Sequence, residues 1–190
     1  TNYMIIPPKP RETIPETIVM LGSECITQVS ECKFLGVIFD DRLKFTTQIN
    51  NVKKRLRSAI GALLSVKKTF NFRAKMAIYN GLFDSYLNYA FLIWGDKLSK
   101  TNLSEFQILQ KKALRIIFNA RFNSHTNEMF ALSGITPIEN MYQKNALIFM
   151  KKTQLDKQPK VFKDIIDFSS DSRLRSNTDN KIHLSNNLKK

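Results

Sequence analysis

The sequence predicts an α+β protein that is mainly helical, with short antiparallel strands at its N-terminus, a helical bundle after them and a helical C-terminal extension. Residues 1–42 alternate short runs of β-forming residues with Pro, Gly and acidic turn residues. From residue 46 onward, apolar residues recur at the three- and four-residue spacing of amphipathic helices. The hydrophobic share of 43% is ordinary for a globular protein and argues against wholesale disorder.

Four short strands are predicted in the N-terminal region. They cover residues 3–6, 17–21, 24–29 and 32–39. Pro7 and Pro8 stop the first strand, and Gly22 and Ser23 form the turn between the second and the third. Because isolated short strands are marginal in water, these strands are expected to need a larger partner that covers them.

A basic amphipathic helix is predicted over residues 46–69, with Thr46 or Thr47 as its N-cap. Its apolar stripe consists of Ile49, Val52, Leu56, Ala59, Ile60 and Leu63. The opposite face carries Lys54, Arg57, Gly61 and Lys68. Lys and Arg neutralise phosphates, and a glycine lets another backbone approach closely. A solvated polar face with an incidental glycine explains the same pattern, so both interpretations stay open.

Further helices are predicted over residues 73–95, 102–119, 128–133, 137–155 and 159–168, with a break at residues 71–72. Thr136, Pro137 and Glu139 form a capping box that should begin the fourth long helix. Lys111, Lys112 and Arg115 form a second basic cluster near the end of the helix over 102–119. Contact with nucleic acid explains this cluster, and so does the helix dipole, which favours cations at that end.

The first of several ordered motifs is the run FLGV at residues 34–37, followed by Asp40, Leu43 and the helix VKKRLRSAIGAL. This order resembles the palm-to-thumb junction of non-LTR (LINE-type) retrotransposon reverse transcriptases, jockey-like ones in particular. Further pieces follow in the same order: IYNGL at 78–82, Tyr89 with WG at 94–95, QKKALRII at 110–117, Pro159, and RLRS at 173–176. Each piece is degenerate alone, but the ordered set covers residues 2–176 and is fairly specific.

The resemblance implies a domain organisation and a set of nucleic-acid contacts. Residues 1–42 would be a palm remnant with a primer-grip-like strand, 43–127 a thumb-like helical bundle, 128–168 a helical extension and 169–190 a flexible polar tail. Phe34, Leu35 and Gly36 would lie at the primer grip. Lys54, Arg57 and Lys68 would contact phosphates of the template–primer duplex, and Gly61 would allow close approach.

Paired aspartates at residues 40 and 41 suggest a polymerase metal site, but the pattern argues against it. The reverse-transcriptase motif places an aromatic residue two positions before the paired aspartates, where this chain has Ile38. Asp40 is instead expected to be a turn or capping residue. The resemblance puts the catalytic carboxylates upstream of Thr1, and the absence of an initiator methionine predicts a cut point inside a longer protein. No cofactor is expected in this fragment, whereas the parent polymerase would use Mg²⁺ and dNTPs.

The net charge of +14, from 30 Lys and Arg against 16 Asp and Glu, favours a polyanionic partner. The resemblance implies a fragment of an RNA-directed DNA polymerase whose partners are an RNA template, an RNA–DNA or DNA duplex and the remainder of the polymerase chain. It also implies an intracellular location, nuclear when acting. No membrane partner is expected, because no apolar run approaches the roughly 18 residues that span a bilayer. The basic faces also lack the flanking Trp or Phe at helical spacing that is typical of peripheral membrane binding. The alternative is a non-catalytic helical protein-interaction module with a basic surface.

Overall fold

The computed structural model describes residues 1–7, 18–167 and 183–184. Its backbone contacts divide the chain into two compact units, Thr1–Tyr142 and Gln143–Lys190. The predicted fold class is confirmed, because the chain is mainly helical with short strands at its N-terminus. No helix among the described residues combines the length and the apolar character that crossing a bilayer requires. The predicted domain boundaries stay predictions.

A three-stranded sheet forms from β1 (Asn2–Tyr3), β2 (Val19–Leu21) and β3 (Glu24–Gln28), in the order β1-β3-β2. A turn containing Gly22, with φ of +64°, joins β2 to β3, which pair antiparallel as predicted. β1 pairs with β3 in parallel, which departs from the predicted antiparallel arrangement. No tight hairpin connects these two strands, so local turn chemistry does not set their relative direction.

The segment predicted as one strand over 32–39 is a hairpin of two strands, β4 (Glu31–Phe34) and β5 (Val37–Asp40). Leu35 and Gly36 form its two-residue turn, with φ of 45° and 82°. Positive φ at both central residues is the geometry that matches the twist of a hairpin. The single-strand prediction is therefore wrong, because a leucine that accepts the strained left-handed conformation leaves no sign of a turn in the sequence.

The predicted basic helix is confirmed as α1 (Thr46–Ser65). Its predicted apolar stripe is buried throughout: Ile49, Val52, Leu56, Ala59, Ile60 and Leu63. The predicted threonine N-cap is wrong, because the N-cap position is Phe45, in the left-handed conformation with φ of 56° and without a side-chain cap. α1 thus begins one residue before the position that a cap at Thr46 would give.

Asp40 organises the chain between β5 and α1. Its Oδ1 accepts hydrogen bonds from the backbone N–H groups of Arg42, at 3.1 Å, and Lys44, at 3.0 Å. Its Oδ2 accepts one from the N–H of Phe45. These bonds satisfy backbone donors that lie just before the first turn of α1. The prediction of Asp40 as a turn or capping residue is confirmed.

The segment predicted as one helix over 73–95 is interrupted, so that prediction is wrong. It consists of α2 (Phe72–Ile78), a π-helical stretch (Tyr79–Asp84), α3 (Ser85–Asn88), α4 (Phe91–Trp94) and a 3₁₀ turn (Gly95–Lys97). Ala90 adopts a left-handed φ of 51° between α3 and α4, where the Trp94 indole N–H donates to the Tyr89 carbonyl at 3.0 Å. Tyr79, Phe83, Phe91 and Trp94 are buried in the core on either side of this break, whereas Tyr86 and Tyr89 are exposed.

The third long helix, α5 (Lys100–Ile117), packs along α1 and runs in the same direction. Near the start of both helices, Lys53 Nζ donates to Asn102 Oδ1 at 2.9 Å and to Glu105 Oε2 at 3.0 Å. Near their ends, Lys75 Nζ bridges the Lys67 carbonyl and Asn119 Oδ1. Because start lies beside start and end beside end, the two helices are parallel neighbours.

The remaining elements follow the predicted helices closely: α6 (Asn127–Ser133), α7 (Ile138–Gln154) and α8 (Lys160–Ile165). The buried Gln110 side chain accepts from the Ile138 N–H at 3.1 Å and donates to the Thr136 carbonyl at 2.9 Å, so it fixes the start of α7. The capping box stays a prediction. Two short strands, β6 (Ile166–Asp167) and β7 (His183–Leu184), pair antiparallel. The rest of the predicted tail over 169–190 lies outside the described residues.

Candidate nucleic-acid interface

The exposed side of α1 carries the residues that the sequence assigned to phosphate contact. Lys54, Arg57 and Gly61 are exposed on α1, and Lys68 is exposed in the turn that follows it. We call these four residues the basic face. Among the described residues, neither Lys54 nor Lys68 forms an ion pair. A Cβ built on Gly61 would meet no atom within 4 Å, so the helix backbone is open to solvent there.

Arg57 shares a carboxylate with a buried neighbour. Its Nη2 lies 3.6 Å from Glu105 Oε2, and its side chain is 61% exposed. The same oxygen lies closer to Lys53 Nζ, at 3.0 Å. Exposed ion pairs of this kind contribute about 0–1 kcal/mol, because solvent screens them. The contact with Glu105 therefore leaves the Arg57 guanidinium able to turn towards a phosphate.

The second basic cluster separates into residues with different surroundings. Arg115 Nε donates to the Ser124 carbonyl at 2.9 Å and so holds the loop after α5. Lys112 is exposed and follows Glu105 by two helical turns, which puts it on the flank of α5 that faces α1. Lys111 is half-buried and projects about 100° away from that flank. Lys112 is thus the member of the cluster that adjoins the basic face, while contact of all three with nucleic acid stays a prediction.

The predicted primer-grip residues form the tip of the β4–β5 hairpin. Phe34 and Leu35 are 62% and 75% exposed there. The Tyr89 hydroxyl donates to the Leu35 carbonyl, and a Cβ at Gly36 would lie 3.4 Å from the Tyr89 ring. Tyr89 thus covers the turn, and the positive φ of Gly36 favours glycine there, since a Cβ would only come into ordinary contact with the ring.

A second contact attaches the hairpin to α1. The Ile38 N–H, on β5, donates to Oε1 of the buried Gln48 at 3.0 Å. Thr47 Oγ1 also donates to Glu31 Oε1 at 2.5 Å, from α1 to β4. Both strands of the hairpin are therefore bonded to the first turn of α1, beside the basic face.

Two buried lysines escaped the interpretation of the sequence. The side chain of Lys53 is only 8% exposed. The second is Lys75, whose pKa is lowered by its burial and by the nearby positive charge of Lys67. The burial of Lys53 could have been predicted from helical periodicity, because Lys53 lies on the side of α1 that also presents Ile49 and Ile60. Nothing in the local sequence marks Lys75, whose partner Asn119 is 44 residues away.

The described residues do not fit the Mg²⁺ that the resemblance implies for a polymerase. The Asp40 carboxylate already accepts three backbone N–H bonds. Within residues 1–7, 18–167 and 183–184, no group of three or more His, Cys, Asp or Glu side chains is placed to hold an ion. We therefore derive no metal-dependent step from this chain.

Comparison with known proteins points to one class, the RNA-directed DNA polymerases of Drosophila mobile elements. The chain is 33% identical over 102 residues to the probable RNA-directed DNA polymerase from transposon BS of Drosophila melanogaster, a match that covers 52% of this chain and 11% of that protein. It is 26% identical over 137 residues to the RNA-directed DNA polymerase from mobile element jockey of the same species, covering 70% of this chain and 15% of that protein.

A third relative extends the comparison beyond these two elements. The chain is 31% identical over 81 residues to the putative 115 kDa protein in type-1 retrotransposable element R1DM of Drosophila melanogaster, which covers 41% of this chain and 8% of that protein. No family model and no solved structure matches the chain. The predicted resemblance to jockey-like reverse transcriptases is confirmed, over a chain that spans 8–15% of the length of these relatives.

Proposed function

We propose that this chain is a portion of a retrotransposon RNA-directed DNA polymerase and binds the template–primer duplex through its sugar–phosphate backbone. The relatives named above support the polymerase assignment. The observation that carries the binding assignment is the exposed basic face, which lies opposite a fully buried apolar stripe on the same helix. A cationic helix face on a rigid scaffold is what a non-specific backbone contact requires.

The spacing along α1 suits such a contact. Lys54 and Arg57 are three residues apart on the same side, about 4.5 Å along the helix axis, and Gly61 lies about one turn further. In this proposal the two cations meet phosphates of one strand, and the glycine lets the helix backbone come close to the duplex. Lys68 and the neighbouring Lys112 extend the cationic surface beyond Gly61. Binding of this kind is independent of sequence and weakens with salt.

The catalytic step is assigned elsewhere. We propose that the carboxylates, Mg²⁺ and dNTPs of the reaction belong to the parent polymerase, so that this chain alone does not polymerise and binds no cofactor of its own. Its partners are then the RNA template, the RNA–DNA or DNA duplex and the rest of the polymerase chain. It acts inside the cell, in the nucleus.

Fluorescence anisotropy of the 190-residue chain tests this function against the alternative of a basic protein-interaction module. The labelled ligand is a blunt RNA–DNA hybrid, and the competitor is heparin of equal total charge at low salt. We expect the hybrid to bind at least about tenfold more tightly than the competitor if the basic face is a surface for the backbone of a paired duplex. Equal affinity for the two polyanions would contradict duplex binding and support the interaction module.

A further inference from the structure

A groove of about 430 Å³ lies on the flank of α1 that points away from Lys53. The β4–β5 hairpin forms one wall, α1 the floor, and the start of α3 with Tyr89 the other wall. Its lining includes Lys33 and Gly36 from the hairpin, Asn51 and Arg55 from α1, and Tyr86 and Tyr89 from the opposite wall. None of these residues except Gly36 and Tyr89 carried a role in the sequence interpretation.

The groove is cationic. Lys33 and Arg55 contribute two positive charges, and the lining contains no carboxylate. In the part of the chain that the structure describes, neither cation forms an ion pair. Two cations in a groove without a counter-charge favour an anionic ligand. A neutral ligand would displace their hydration water without offering an opposite charge in its place.

One of these cations is already oriented. The Arg55 guanidinium carbon lies 4.8 Å from the centroid of the Tyr86 ring, which is a cation–π contact. The contact restricts where the guanidinium can lie, and among the described residues no carboxylate pairs with it. A planar guanidinium with fixed donors suits bidentate binding of phosphate. The Tyr86 ring also offers an aromatic surface against which a base or a sugar can pack.

The size of the groove limits what can enter. A volume of about 430 Å³ falls in the range of pockets that hold one small organic ligand. One nucleotide unit, with its phosphate, sugar and base, is a ligand of that size, whereas a paired duplex is far too wide. The groove therefore differs in its ligand from the basic face, although both lie on α1.

We infer that this groove binds a single unpaired nucleotide unit, whose phosphate is held by Lys33 and Arg55 and whose base or sugar packs on Tyr86. The inference rests on the proposed function for the identity of the ligand as nucleic acid. The unit comes either from the unpaired end of a strand whose paired part occupies the basic face or from a free nucleotide. Both sources present the same phosphate chemistry to the groove.

The test compares two ligands on the 190-residue chain, a blunt RNA–DNA hybrid and the same hybrid with a three-nucleotide unpaired 3′ end. We expect the wild-type chain to bind the tailed hybrid about tenfold more tightly. The double variant Lys33→Gln with Arg55→Gln should lose this preference and keep its affinity for the blunt hybrid within about twofold. Equal weakening of both ligands by the double variant, or no loss of the preference, would overturn the inference.

Three controls sharpen the result. Lys97→Gln removes an exposed cation that pairs with Asp96 outside the groove, and it should leave the preference intact. Tyr86→Phe keeps the ring and should retain the preference, whereas Tyr86→Leu should lose most of it. Competition with a nucleoside triphosphate distinguishes the two sources of the nucleotide unit. If excess triphosphate abolishes the preference for the tailed hybrid, the groove also binds free nucleotides. If the preference persists, the groove binds strand ends.

Failure of the duplex proposal gives a different pattern. If the blunt hybrid does not bind at all, the basic face loses its assigned role. The groove inference then survives only if a short single-stranded oligonucleotide binds the wild-type chain and the Lys33→Gln, Arg55→Gln variant weakens that binding at least about tenfold. The two proposals can therefore fail separately.

Discussion

Lys53 and Lys54 are consecutive residues of α1, and the helix turns them towards different environments. Lys53 is buried against α5, where Asn102 and Glu105 accept its hydrogen bonds. Lys54 is exposed on the basic face and forms no ion pair among the described residues. One lysine therefore joins two helices, while its neighbour is available to a ligand. The net charge of the chain thus overstates the number of cations that a polyanion can reach.

The largest expected effect is a difference in stability between variants of these two lysines. Lys53→Met should lower the free energy of unfolding by about 2 kcal/mol, because it removes the hydrogen bonds that a charged group donates at a buried position and leaves Asn102 and Glu105 without them. Lys54→Met should change it by less than about 0.5 kcal/mol. Urea denaturation followed by circular dichroism measures both. A Lys53→Met chain as stable as the Lys54→Met chain would show that the bridge to α5 contributes nothing to the fold.

A smaller effect is expected at Gly61, where stability and binding should move in opposite directions. Gly61→Ala should stabilise the chain by about 0.5–1 kcal/mol, because alanine has the higher helix propensity and its Cβ meets no neighbour. The same methyl group should weaken binding of the blunt hybrid severalfold if the helix backbone approaches the duplex. Thermal unfolding and anisotropy measure the two quantities.

Gly81 provides the matched control for that substitution, because a Cβ built there also meets nothing within 4 Å and the residue lies outside α1. Gly81→Ala should leave the affinity for the hybrid unchanged. Unaltered affinity in the Gly61→Ala chain as well would remove Gly61 from the interface and leave it as an incidental glycine on a solvated face.

The long regular elements could be predicted from the sequence because their signal repeats over many residues. The stripe of α1 from Ile49 to Leu63 defined both the buried side and, by exclusion, the exposed side that carries Lys54 and Arg57. The same phase would have identified Lys53 as a residue of the buried side. Helical periodicity thus supplied the orientation of α1 and most of the basic face.

Strained backbone positions could not be predicted, since the residues that occupy them have no preference for that conformation. Leu35, Phe45 and Ala90 all adopt a left-handed φ, which costs an L-residue about 1–2 kcal/mol. Two contacts offset that cost: Tyr89 covers the hairpin turn, and Asp40 accepts a hydrogen bond from the N–H of Phe45. The role of Asp40 could be predicted because it is local, whereas Tyr89 becomes visible as a partner of Leu35 only when the fold is known.

The groove was also beyond sequence reasoning, for a different reason. Its walls come from three segments, and the bond between Tyr89 and Leu35 spans 54 residues of sequence. The pairing of Arg55 with Tyr86 joins different helices, so neither residue stands out in its own segment. A periodic pattern reports which side of one helix is buried, but it does not report which other element covers it.

The salt dependence of hybrid binding tests the central claim most directly. Log affinity for the blunt RNA–DNA hybrid should fall linearly with log salt concentration, and the slope counts the phosphates that the chain neutralises. The triple variant Lys54→Gln, Arg57→Gln, Lys68→Gln should flatten that slope by about 2 to 3, since each lost phosphate contact removes about 0.9. A triple variant with the wild-type slope would contradict the account, because the exposed cations of α1 would then contact no phosphate.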